Sequence, residues 1–413
     1  MQKTKTACRV DYLLREPPGQ PVPAEFSEQT ALKIRRFHTR LPGYQPTALV
    51  RLQQLARWWG VAEILVKDES TRFGLSAFKV LGGSYAIARW LCRKLGWDID
   101  AIAYEDLTGG GLRERLGRIT FATATDGNHG RGVAWAAQQL GQDAMVYMPK
   151  GSARSRVENI RSHGARVEVT DLNYDDTVRL CCQTASERGW VVVQDTVWEG
   201  YTEMPQWIMQ GYMTLCAESI DQVASMKIHP PTHVFLQAGV GAFAAAMVGC
   251  LVNQYRQSRP RFVIMEPSNA ACMFTSAAAG NHQPHSVSGD LKTIMAGLAC
   301  GEPNPVAWNI LRDFSCCYIR CDDAAAANGI RILANPLKGD EAIEAGESGS
   351  VGIGLLEMIC HHPKLQSLKH SLAIGPDSRL LFFNTEGATD PDNWRDILWH
   401  GKYPYDPDSD ATP

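Results

Sequence analysis

The chain has 413 residues, 45% of them hydrophobic and 21% charged, enough apolar material for two cored domains or one elaborate one. Its 41 basic and 44 acidic residues leave a formal charge of −3, which argues against nucleic acid or an acidic membrane surface as a partner. The N-terminal stretch has Lys3, Lys5, Arg9, Asp11 and Arg15 and no continuous apolar run, so no secretory signal is expected. The 12 cysteines show no CxxC pair or zinc spacing, which points to reduced cytoplasmic thiols and no metal centre.

Taken in chain order, the first informative segment is Arg72 to Tyr85. Phe78, Leu81, Tyr85 and Ala88 follow helical spacing, with Ser76 as the predicted N-cap and Lys79 in the first turn. The helix dipole and the flanking Phe78, Val80 and Leu81 disfavour an ammonium there, so Lys79 is expected to be a neutral amine able to form an imine. The alternative is an ordinary lysine whose stem packs while its head reaches water.

A regular alternation follows. Ile119 to Thr125 reads as a strand, Asp126-Gly127-Asn128 as a turn, and His129 to Leu140 as a helix stopped by Gly141. Strand Ala144 to Met148, helix Arg154 to His163, strand Ala165 to Thr170, helix Asp175 to Arg188 and strand Trp190 to Gln194 continue it. After a separating stretch around 200–230, a second series runs through strand His233 to Gln237, helix Ala242 to Tyr255 and strand Arg261 to Met265. Val234 to Val252 is long enough to span a bilayer, but Gln237 and Gly239-Val240-Gly241 split it into strand, loop and helix. The pattern predicts an α/β fold with open, mostly parallel sheets flanked by helices and ligands beyond the carboxyl ends of the strands. The tail from Gly401, with Pro404, Pro407 and Pro413, reads as irregular.

Three loops add candidate chemistry. In Thr123-Ala124-Thr125-Asp126-Gly127-Asn128-His129, backbone amides and hydroxyls form a cradle for a carboxylate. Asp126 either caps the following helix or faces a cation, and His129 is expected to make a structural hydrogen bond. The loop Gln237-Ala238-Gly239-Val240-Gly241-Ala242 offers N–H groups for a phosphate. It also satisfies a loose dinucleotide fingerprint, with Glu266 as a ribose partner. Late in the chain, Gly346-Glu347-Ser348-Gly349 and Phe382-Phe383-Asn384-Thr385-Glu386-Gly387 place Thr385 at a strand end, either as a turn former or as a hydroxyl facing a ring nitrogen.

In this order the segments resemble the tryptophan-synthase-like, fold type II pyridoxal-phosphate enzymes, and most closely the diaminopropionate ammonia-lyases. The blocks are RFGLSAFKVLGGSYA (72–86), TATDGNHGRGVAWAA (123–137), VQDTVWEGY (193–201), AGVGA (238–242), TIMAGLACGEP (293–303), LANPLKGDEAIEAGESG (333–349) and FFNTEGATDP (382–391). One departure is Ala48 in Pro46-Thr47-Ala48-Leu49, where relatives commonly carry a second proline.

The resemblance implies pyridoxal 5'-phosphate as cofactor, with Lys79 as the Schiff-base lysine beside Phe78 and Asn128 near the ring oxygen. It assigns Gly239, Val240, Gly241 and Ala242 to the phosphate and Thr385 to the ring nitrogen. Asp126 and Asp195 match the two acidic positions that mark the ammonia-lyases, and Thr125, Asp126, Gly127 and Asp195 face the substrate. The implied reaction is α,β-elimination converting D- and L-2,3-diaminopropionate to pyruvate and two ammonia. A serine or threonine dehydratase of the same fold is the alternative, and a nucleotide-dependent oxidoreductase built on Gly239 to Glu266 a more distant one. The expected organisation is a large cofactor-binding domain, 1–90 and 205–413, a smaller inserted α/β domain, 91–204, and a cytoplasmic homodimer.

Overall fold

The computed structural model describes residues 9–21, 23–125 and 127–405, so Asp126 and most of the proline-containing tail lie outside the described residues. Among the described residues eleven strands appear in chain order: β1 (Val10–Leu14), β2 (Leu49–Arg51), β3 (Glu63–Asp68), β4 (Thr120–Ala124), β5 (Asp143–Met148), β6 (Arg166–Val169), β7 (Val191–Val192), β8 (His233–Gln237), β9 (Arg261–Pro267), β10 (Ser315–Cys321) and β11 (Arg379–Asn384). They form a seven-stranded sheet, β1-β10-β9-β8-β11-β3-β2, and a four-stranded sheet, β6-β5-β4-β7. The small sheet is parallel throughout, and the large one is parallel except for its two edge strands.

The central strands of the large sheet are apolar on both faces, as parallel strands covered by helices must be. Val234, Leu236, Phe262, Ile264, Leu381 and Phe383 face one core, together with helix Ala242–Gln254. The alternate residues Phe235, Val263, Met265, Leu380 and Phe382 face a second core, together with helices Asp323–Ala334 and Glu347–His361. The period-2 alternation of the strands thus assigns each residue to a layer. The stretch 234–252 is strand, loop and helix, and among the described residues no helix is long and apolar enough to cross a membrane.

The stretch expected to separate the two series is itself helical, Glu203–Gly211 and Met213–Ser225. Helix Val80–Leu95 packs between Glu203–Gly211 and helix Asn128–Gln139, and so ties the two sheets together.

Strand β7 is shorter than the predicted Trp190 to Gln194. Beyond Val193, whose N–H still donates to the Ala122 carbonyl at 2.8 Å, the ladder passes to side chains. The Gln194 side-chain oxygen accepts from Thr123 Oγ1 at 2.9 Å and from the Ala124 N–H at 3.2 Å, and the Gln194 N–H is taken by the Tyr201 hydroxyl. Those contacts turn the chain out of the sheet one residue before Asp195.

Candidate active site

Loops from the carboxyl ends of β4, β7, β8 and β11 converge on one cavity, lined among others by Phe78, Lys79, Asn128, His129, Asp195, the 237–243 loop, Ser348, Thr385 and Glu386. Lys79 reaches it by a route the local pattern does not show. Ser76 is not an N-cap: it has a positive φ of 55°, and helix Val80–Leu95 begins only after Lys79. The reason is a competing pairing. Ala77 bridges Glu386, the Ser76 carbonyl accepts from Gly387 N–H at 2.9 Å, and Phe78 N–H donates to the Thr385 carbonyl at 3.2 Å. Residues 76–78 therefore run alongside the segment that follows β11, and Lys79 directly precedes the helix beside Thr385.

Two close approaches fix this placement. A Cβ on Gly132 of helix Asn128–Gln139 would lie 2.8 Å from Val80 Cα and N, so glycine lets that helix touch the backbone at Lys79. The Phe78 ring packs on Tyr212 at 4.7 Å and on Phe243 at 4.9 Å between centroids.

Lys79 Nζ donates to Asp195 Oδ2 at 2.8 Å, with both side chains largely buried. Burial alone would raise the Asp195 carboxyl, but Lys79 and His129 outweigh it and hold it below the usual carboxylate range. The expectation of a neutral Lys79 rested on its desolvating neighbours, and the structure sets against them a carboxylate in contact with the amine. Asp195 is anchored from behind: Asn304 Nδ2 donates to its carbonyl at 2.9 Å, while Asn304 N–H donates to the Val240 carbonyl at 2.9 Å. One buried asparagine thus spaces Asp195 from the glycine loop. His129 donates from Nε2 to the Val193 carbonyl at 2.8 Å, the structural bond expected, and burial pushes its pKa down.

The glycine loop joins β8 to helix Ala242–Gln254. Gly241 stands at the N-cap with φ of +92° and no side-chain cap, so the first-turn N–H groups at this end are available to an anion. Gln237 Nε2 donates to Thr385 Oγ1 at 3.0 Å. Because that hydroxyl accepts from Gln237, its own proton remains to be donated, the arrangement an unprotonated ring nitrogen requires. Asn128 Nδ2 donates to Glu386, while the Gly127 N–H, at 2.9 Å, and the Gly130 N–H, at 3.0 Å, donate to Thr125 Oγ1.

Glu266, the ribose partner of the dinucleotide alternative, is buried and occupied. Its carboxyl accepts from the N–H groups of Met273 at 2.8 Å and Phe274 at 2.7 Å, which removes the residue that reading needs. Gln237, Ser348 and Glu386 lie within motifs visible in the sequence. Tyr212 and Asn304 carry no local signal, since only packing brings them to Lys79 and Asp195.

The residues fit pyridoxal phosphate. An uncapped helix start and a donor hydroxyl line the cavity, and the buried Asp195 Oδ1, His129 Nδ1 and Ser348 Oγ have no hydrogen-bond partner among the described residues. The family model for pyridoxal-phosphate dependent enzymes matches residues 40–374. A diaminopropionate ammonia-lyase from Escherichia coli is 52% identical over 379 residues, covering 92% of this chain and 93% of that protein. A solved structure of the Escherichia coli enzyme in complex with D-serine superposes with a TM-score of 0.91 at 48% identity, covering 97% of this chain and 100% of that one. Another, with an aminoacrylate-PLP azomethine reaction intermediate, gives 0.89 at 49% identity, covering 97% and 99%. By sequence, fold and the residues gathered around Lys79, the chain belongs to the diaminopropionate ammonia-lyase family of pyridoxal-phosphate dependent enzymes.

Proposed function

We propose that the chain uses pyridoxal 5'-phosphate, carried on Lys79, to eliminate ammonia from both D- and L-2,3-diaminopropionate, the released aminoacrylate then taking up water to give pyruvate and the second ammonia. The carrying observation is the 2.8 Å contact between Lys79 Nζ and Asp195 Oδ2 in a cavity shared with an uncapped helix start and the Thr385 hydroxyl. When bound, the cofactor acidifies the substrate's α-proton by delocalising the electrons left on that carbon. The main-chain N–H groups of Gly239, Val240, Gly241 and Ala242 would hold the phosphate, Thr385 would donate to the ring nitrogen and Asn128 to the ring oxygen. Phe78, wedged between Tyr212 and Phe243, excludes water from the lysine side.

Lys79 takes the α-proton of one enantiomer, and Asp195 stabilises the ammonium that results at Nζ. Asp126, assigned by family resemblance, takes the proton of the other from the opposite face, and Thr125 and Gly127 belong to the turn that receives the substrate carboxylate. The D-serine complex of the Escherichia coli relative supports a site that admits the D configuration. Asp126 and Asp195 also suit a substrate with a second ammonium, since a charge-assisted hydrogen bond contributes about 1.5–3 kcal/mol, roughly tenfold or more over serine.

The same reading takes 1–90 and 205–413 as a large domain and 91–204 as an inserted one, in a cytoplasmic homodimer. The strands of the large sheet, which come from 10–68 and 233–384, and those of the small one, from 120–192, support that division. The test is the visible spectrum of the purified chain before and after adding diaminopropionate, with pyruvate followed enzymatically. Turnover of serine or threonine at the diaminopropionate rate indicates a dehydratase instead.

A further inference from the structure

Glu386 lines the cavity yet has no part in the reaction above. It is 1% exposed, and three separate segments meet on it. Its carboxylate accepts from Asn128 Nδ2, at the start of helix Asn128–Gln139, and from the Ser348 N–H at 3.1 Å, in the first turn of helix Glu347–His361. Its backbone bridges Ala77, two residues before Lys79, and its carbonyl accepts from the Gly346 N–H at 2.8 Å. Thr389 Oγ1 stands at 3.4 Å from the same carboxylate oxygen that Asn128 uses.

A carboxylate only accepts, so it selects one of the two orientations of a neighbouring carboxamide. With its NH2 turned to Glu386, Asn128 commits one hydrogen there and keeps the second, and Oδ1 is turned away.

We propose that Glu386 is a positioning residue that locks the Asn128 amide, so that its remaining N–H is presented to the ring oxygen of the bound cofactor. The Ala77 bridge keeps Lys79 in register with that amide, so one buried carboxylate sets the spacing between the lysine and the ring-oxygen donor. This rests on Asn128 being the ring-oxygen partner.

The test compares the wild-type chain, Glu386→Gln, Asn128→Ala and the double variant, each as the full chain resolved and reloaded with pyridoxal phosphate. Two quantities are read: cofactor affinity, and the midpoint of the pH titration of the visible band, which a purely structural residue would not move. Each single variant is expected to lose about tenfold in cofactor affinity, the weight of one charge-assisted hydrogen bond. Both should move the midpoint in the same direction. The double variant should lose no more than the worse single one, because both act through one amide. Unchanged affinity and midpoint in Glu386→Gln, or losses that multiply in the double variant, overturn the proposal. If the glutamine variant does not fold, Glu386→Asp retains an acceptor-only carboxylate and should hold the midpoint near wild type; a displacement as large as that of Asn128→Ala overturns the proposal. A wild-type chain that takes up no pyridoxal phosphate overturns the proposed function and this inference with it, whereas multiplying losses on normal wild-type binding overturn the inference alone.

Discussion

Asp195 illustrates how one contact can oppose an expectation drawn from neighbours in sequence. Apolar flanks push a lysine toward the neutral amine, and a carboxylate at 2.8 Å works against that push. Because the folded chain holds the Asp195 carboxyl below its ordinary value, the pair stabilises the fold above the ordinary aspartate pKa of about 3.9 and loses that contribution as pH falls through the folded value. Asp195→Asn should therefore lower kcat on the order of 10²-fold and weaken the acid-side fall in stability. Steady-state pyruvate formation and urea unfolding at neutral and acid pH measure the two effects. Asp126→Ser should reduce D-isomer turnover first. Parallel assays on the separate enantiomers decide it, and equal loss on both contradicts the two-base assignment.

At the scale of elements, the lysine is placed by contacts between backbones. Helix Asn128–Gln139 reaches the chain at Lys79 only because residue 132 has no Cβ. An added methyl would meet Val80 Cα and N at 2.8 Å and Lys79 C at 3.1 Å, all main-chain atoms that cannot swing aside. Gly132→Ala is expected to cost about 1–3 kcal/mol in overpacking and to lower cofactor content, readable from the thermal midpoint and the visible absorbance.

A second element-scale device lies at the end of β9, where Glu266 holds the first turn of helix Cys272–Ala279. Burial pushes its carboxyl up to about 8 against those two N–H groups, so its proton is bound more tightly in the folded chain than in the unfolded one. The stability this confers is complete below the ordinary glutamate range and is lost as pH rises toward 8. Glu266→Gln cannot ionise and should flatten the decline, as urea midpoints at about pH 5 and about pH 8 would show.

Across the whole molecule, the Lys79 loop is moored to a fully buried charge network. Lys67 on β3 and Arg72 both donate to Glu218 on helix Met213–Ser225, and Arg72 also donates to Glu69. The network takes in the 44–47 segment as well: Tyr44 donates to Glu218, and Lys67 to the Thr47 carbonyl. Burial would raise the Glu218 carboxyl, but Arg72 and Lys67 outweigh it and hold it at about 2. Such a network orders distant segments more than it adds net stability, yet removing one charge leaves its partners buried and uncompensated. Glu218→Gln should cost about 3–5 kcal/mol, measured by equilibrium urea unfolding, and should shift the Lys79 loop before the sheets melt.

The sequence by itself determined the alternating strands and helices, the parallel sheets and the chemical character of the loops at Lys79, Gly239 to Ala242 and Thr385. Those features are written in local periodicity and punctuation: runs such as HVFLQ and LLFF, and glycines at turns. Asn128, Asp195 and Thr385 were legible through motif resemblance, which spans much of the chain. Only the tertiary structure decided that Ser76 leaves the helix to pair with Gly387, that β7 yields to the Gln194 side chain, and that Lys79 meets a carboxylate 116 residues away. It also recruited Tyr212, Asn304 and Glu386 to the site. Each of these outcomes is a competition between a local preference and a contact distant along the chain. The distant contact wins because burial removes water as an alternative partner, so most buried polar groups must find their bonds within the fold.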